Sequence, residues 1–240
     1  MFDNVLASVR IGAAEVDTLL ETDTVRPGET LPVRVVVDGG KVDQDIEAIE
    51  LELETRRERD EATDEYDIST HRVTGPFTIE AGEREVFESE IPIHHETPVT
   101  TLDAKTNRAK VWIDTDLEID RAIDADDTDY LQVAPTEPMA AMLEAVERAG
   151  HRLSKVTVDT DTIATKDAQA QLPVDQEIEF KPTGSRSYSE LELHFIPREE
   201  VTHVLLEFDH SIGSENFESM QVYHDDYSVD ELRRAFERFA

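Results

Sequence analysis

Eight histidines set among 56 carboxylates make cation ligation the first chemistry to weigh in this 240-residue sequence. His94, His95 and Glu96 form the densest local group. Adjacent side chains of a strand point to opposite faces, so at most one histidine shares a side with Glu96, and the spacing fixes no third ligand. His203 with Asp209 and His210, and His224 with Asp225 and Asp226, meet the same objection. Asp124, Asp126 and Thr128 begin as an EF-hand calcium loop begins. Asp129, however, stands where the loop needs its turn glycine, and Pro135 where it needs a bidentate glutamate. These groups read as polar strand ends and an acidic interdomain linker, and no metal ligand is assigned.

Nucleophilic and phosphate chemistry finds no better footing. There is no Gly-x-Ser-x-Gly elbow, and Ser211-Ile212-Gly213-Ser214 lacks the strand–turn–helix surroundings an elbow requires. Nine glycines form neither a Walker loop nor a dinucleotide fingerprint. Among so many acids no pair can be singled out for glycoside hydrolysis. Zero Cys excludes disulfides, thiol catalysis, iron–sulfur clusters and cysteine-ligated zinc. No catalytic residue and no cofactor is expected, and the chain does not read as an enzyme.

The elements that would position any site are strands. Val33, Val35 and Val37 share a face, as do Ile49, Leu51 and Leu53 opposite Glu50, Glu52 and Glu54. Phe87, Ser89, Ile91 and Ile93 alternate with acids and Val86, and Val111, Ile113, Thr115, Leu117 and Ile119 with Trp112 and acids. The same period returns in Ile178 and Phe180, in Leu191, Leu193 and Phe195 opposite Glu190, Glu192 and His194, and in Val204, Leu206 and Phe208. Turn residues separate these runs at Arg26-Pro27-Gly28-Glu29, Asp38-Gly39-Gly40, Gly75-Pro76 and Lys181-Pro182-Thr183-Gly184. Helical period is confined to residues 2–10, 137–149 and the C-terminal segment, too little for a parallel α/β fold. The expected class is all-β: two antiparallel β-sandwiches with short peripheral helices, one of them C-terminal. The acidic stretch near 122–128 suggests a division into residues 1–124 and 125–240. Residues 159–171 lack a core pattern and read as a loop.

The formal net charge is −33, with 17 Arg and only 6 Lys. Such a field repels phosphate backbones and anionic headgroups, so neither nucleic acid nor a membrane is an expected partner. The opening residues carry Asp3 where a secretory leader would be basic, and no apolar run exceeds Met139 to Leu143, so a cytoplasmic, non-inserted protein is expected. The acid load fits a high-salt cytoplasm, where a Debye length of about 3 Å at 1 M removes most self-repulsion.

The opening stretch VLASVRIGAAEVDTLLETDTVRPGETLPVRVVVDGG resembles the N-terminal half of the SpoOM family of sporulation-control proteins. The ordered residues Ile11-Gly12-Ala13-Ala14, Arg26-Pro27-Gly28-Glu29 and Gly39-Gly40 carry that likeness. DLEIDRAIDADDTDYLQVAP, MAAMLEAVERAGHRL, LPVDQEIEFKPT and SELELHFIP extend it over nearly the whole chain. The resemblance implies an arrestin-like fold, a cytoplasmic location and a regulatory or scaffolding role without catalytic residues. Protein partners are then the expectation. The residues offered for contact are Trp112, a lone tryptophan on the polar side of its strand whose other and favoured reading is packing under a neighbouring loop or the other domain, and the C-terminal stripe Val229, Leu232, Arg233, Phe236 and Phe239. Ser228 and Glu231 form a capping box for that helix. Its apolar face is expected to dock on the protein's own body, with Arg233, Arg234 and Arg238 turned to the acidic surface.

Overall fold

A computed structural model describes residues 12–59, 62–120, 123–210 and 214–240. The amphipathic segment expected at 2–10 and the Ser211-Ile212-Gly213 triplet lie outside them. The N-terminal half begins with β1 (Glu15–Leu20), β2 (Thr24–Val25) and β3 (Thr30–Asp38). Two long strands follow, β4 (Gln44–Arg59) and β5 (Ala62–Thr74), then β6 (Phe77–Ile79) and β7 (Arg84–Pro92). After β8 (Thr106–Asn107) come β9 (Val111–Ile119) and β10 (Ala125–Val133). One sheet has the order β1-β3-β7; a second runs β4-β9-β10-β2, with β5 and β6 on the free side of β4. Period-two burial faces them together: Val33, Val35 and Val37 from the first sheet and Ile49, Leu51, Leu53, Ile113 and Leu117 from the second join one core cluster. Each such side chain contributes about 1.5–3 kcal/mol through burial. The Thr18 and Thr115 hydroxyls meet at 2.8 Å, satisfying each other where both are buried.

The Gly39-Gly40 pair is explained by crowding. A Cβ on Gly39 would strike the Glu80 carbonyl, and one on Gly40 the Gly12 carbonyl, because three turns converge there. Gly39 N–H donates to Glu83 O, Lys41 N–H to Gly12 O and Gly82 N–H to Gly40 O.

The second half contains α1 (Glu137–Arg148), the strands β11 (His151–Asp159), β12 (Asp175–Pro182), β13 (Glu190–Pro197), β14 (Val201–His210) and β15 (Ser214–Tyr223), and α2 (Val229–Phe236). Its strands form an antiparallel meander in sequence order. It meets the first half where β11 pairs in parallel with β4 at Asp159 and Glu58 and with β8 at Lys155–Thr106 and Val156–Asn107, and through side chains. Gln176 accepts from Val99 N–H and donates to Val99 O, while Glu96, at 4% side-chain exposure, accepts from Gln171 N–H, Leu172 N–H and Arg198. That carboxylate pins the loop at 160–174 to the join. The hydrophobic cluster continues across both halves, from Val25 to Phe236.

Two expectations change. The acidic stretch read as an interdomain linker is strand: residues 125–131 pair in register with β9, and Gln132 and Val133 with β2. A division at 124 would separate β10 from both its neighbours, β9 and β2. Strand geometry likewise removes the calcium-loop geometry from Asp124, Asp126 and Thr128. Asp124 accepts from Ile119 N–H and Thr128 donates to Asp114. Helix α1 forms as its pattern requires, with Pro138 in the first turn and Gly150 at φ +87° after its end, although the Thr136 side chain makes no capping bond.

Candidate functional site

The C-terminal stripe is largely part of the core. Leu232 is 6% exposed and Phe236 fully buried, the latter edge-on to His151 at 5.3 Å and stacked near Phe208 at 6.4 Å. Val229 packs against the same cluster, while Phe239 stays 39% exposed. Ser228 Oγ accepts from Glu231 N–H, as a capping residue should. Two of the three arginines have local partners rather than the body: Arg233 donates to Glu237 and Arg234 to the Asp230 carbonyl, both within the helix segment. Short spacing favoured these local partners. Trp112 is 5% exposed, its ring 5.9 Å from that of Tyr130, which is itself 59% exposed. The aromatic surface on this face is therefore Tyr130, lying across the β9–β10 ladder from the tryptophan.

Beside the docked helix, β15 ends the meander; among the described residues it pairs with no strand but β14, and Tyr223 at its end bridges Asp226 of the following turn. Phe217 and Tyr223 stand 54% and 53% exposed on it. A strand with one free edge and exposed aromatics is a template for an added strand.

A second site lies on the meander itself. Cross-strand register sets Glu192 directly opposite Glu179 on β12 and Glu207 on β14. Two residues on from Glu192, on the same face, stands His194, whose side chain is only 3% exposed. Its Nδ1 lies 2.9 Å from Asp175 Oδ1, while Nε2, 3.8 Å from Glu207 Oε2, has no hydrogen-bond partner. Burial alone would lower the imidazole, but the Asp175 and Glu207 carboxylates outweigh it and raise His194 to about 10. Burial, then Glu177, pushes Glu192 up to about 7. Alternation had marked Glu190, Glu192 and His194 as a solvent face; the structure instead buries His194. The signal was available in the hairpin. With the turn centred on Glu199 and Glu200, antiparallel pairing places 192 against 207.

The groups weighed from sequence have other partners. Glu96 holds the 160–174 loop, and His94 Nδ1 accepts from Glu96 N–H. His210 Nδ1 bonds the Ser187 carbonyl, and His224 Nε2 meets Thr202 Oγ1 at 3.0 Å. A cavity at the join, between Thr97, Met139, Asp175 and Phe195, measures about 20 Å³, room for a water.

Two antiparallel β halves with two peripheral helices, no long apolar helix among the described residues, and sites built on strand surfaces define an all-β, arrestin-like protein. The family model for the SpoOM protein matches residues 2–212. The chain belongs to that family. It is 37% identical over 215 residues to the sporulation-control protein spo0M of Bacillus subtilis (strain 168), covering 87% of this chain and 80% of that one. The crystal structure of Spo0M from Bacillus subtilis superimposes with a TM-score of 0.83 at 31% identity, covering 95% of this chain and 98% of that one.

Proposed function

We propose that the protein is a cytoplasmic, arrestin-like regulatory adaptor of the sporulation-control family that binds a protein partner and catalyses nothing itself. The observation that carries this reading is the free edge of β15, with Phe217 and Tyr223 exposed along it. Backbone groups on such an edge supply hydrogen bonds to an added strand, and alternate side chains supply selectivity. The net charge of −33 selects for a basic segment and against nucleic acid or a membrane surface. The same charge fits a high-salt cytoplasm as the working environment.

Affinity co-purification with crosslinking from native extract in molar salt tests this. Full-length protein should retain a stoichiometric partner, and the double variant Phe217→Glu, Tyr223→Glu should lose it while melting within a few degrees of wild type. Recovery of the same partner in the same yield by the double variant would refute strand addition at β15. Truncation after Tyr227 is not a clean test, because it removes Leu232 and Phe236 from the core.

A further inference from the structure

The adaptor reading makes no use of the β12–β13–β14 face, so a site there is independent of it. We propose that Glu192, His194 and Glu207 bind one first-row divalent cation, with zinc the ion best suited to the donor set. One atom from each of the three lies within 4.8 Å of the others. Zinc bonds to imidazole nitrogen and carboxylate oxygen are about 2.0–2.2 Å, so an ion placed between them asks each donor to move by less than about 1 Å. Calcium, which takes six to eight oxygens, suits this set poorly.

Three further features point to a ligand rather than to an acidic patch alone. The buried Nε2 of His194 has no hydrogen-bond partner and is aimed toward Glu207. On the other side of the ring, Asp175 Oδ1 accepts from Nδ1, so a neutral imidazole presents its lone pair at Nε2. Metal-binding histidines are commonly held by a carboxylate in this way. Finally, like charges directly opposite on neighbouring strands are unfavourable, and the neighbouring carboxylates have a cation already. Lys181 Nζ sits 3.3 Å from both Glu179 and Glu190. Among the described residues no lysine or arginine pairs with Glu192 or Glu207. Glu207, one-fifth exposed, leaves the group reachable from solvent.

A metal-bound imidazole is neutral, so zinc competes with any proton at the Nε2 of His194. The test is zinc titration calorimetry on the untagged full chain, stripped with chelator and held in molar sodium chloride. The expected result is one saturable site per chain and a zinc-dependent rise in melting temperature. Glu192→Gln and Glu207→Gln should abolish the saturable site, Asp175→Asn should weaken it about 10- to 100-fold, and Glu54→Gln should leave it intact. Circular dichroism establishes that each variant is folded. Absence of a one-per-chain site in wild type, its survival in both Glu192→Gln and Glu207→Gln, or its equal loss in Glu54→Gln would overturn the proposal.

Discussion

Rows of carboxylates cross three neighbouring strands in both halves of the molecule, but they are stabilised differently. In the N-terminal half Glu52, Glu54 and Asp67 converge on β4 and β5, with Asp114 directly opposite Glu52 on β9. That convergent trio contains no histidine, and burial, followed by the Asp67 carboxyl, drives Glu54 up to about 7. In the C-terminal half the row Glu179, Glu192 and Glu207 has His194 built into its face, buried and paired with Asp175. Each row holds one carboxyl pushed up to about 7, Glu54 in the first and Glu192 in the second, but only the second has a buried imidazole beside it. Acid content alone therefore does not identify a site. A buried nitrogen held in one orientation by a second carboxylate does.

The largest break in this comparison comes from removing the internal cation. His194→Leu leaves Asp175, 5% exposed, as an unpaired buried charge, and a loss of about 3–5 kcal/mol is expected for an orphaned partner of this kind. Glu54→Gln removes a charge that its surroundings already disfavour and should be neutral or slightly stabilising. Urea unfolding of both variants at pH 7 in molar salt, with equal slopes required, measures the difference. Equal costs would mean that the two rows are energetically alike.

Much of this contrast was hidden in sequence for an identifiable reason. Alternation reports which residues share a face, and it correctly placed Val33, Val35 and Val37, Ile113 and Leu117, and Leu191 and Leu193 in the core. It does not report what lies above the other face, so Glu192 and His194 read as solvated. Likewise, the acids at 124–129 hid a strand whose inward contacts come from later residues such as Leu131 and Val133. Helix α2 was legible because its cap and its apolar stripe both act within a few residues. Asp175, by contrast, lies 19 residues from His194, with a turn between their strands that leaves the pairing diagonal. Only register brings such groups together.

A smaller effect, in pH, sharpens the comparison. A group whose folded pKa is raised holds its proton better folded than unfolded, so its contribution to stability grows as pH falls from the folded value toward the unfolded one. For His194 that window runs from about 10 down to 6.5, and for Glu54 and Glu192 from about 7 down to 4.5. His94, His151 and His203, lowered by burial, act oppositely once pH falls below their ordinary 6.5. The melting temperature should therefore rise by several degrees between pH 9 and pH 6.5. Replacing His194 should flatten that rise, while Glu54→Gln should leave its alkaline part unchanged. A melting temperature that falls over this interval would contradict the internal-cation account.

Salt should separate the rows by the smallest margin. At low ionic strength the field of −33 is unscreened, and molar salt shortens its reach to about 3 Å, so wild type should gain stability as sodium chloride is raised. The N-terminal row contributes to that gain through Glu52, pushed up by burial and by Asp67, Asp116 and Asp114. Exposed charges of this kind are worth less than about 1 kcal/mol each, so Glu52→Gln with Glu54→Gln should reduce the salt-dependent gain only modestly. Glu192→Gln should reduce it less again, because His194 offsets part of that row's charge from within the fold, where added ions do not reach. Melting curves across a sodium chloride series, with zinc excluded, give the slopes. If Glu192→Gln alters the slope more than the N-terminal pair does, the C-terminal row is screened by solvent ions and its cation is not internal.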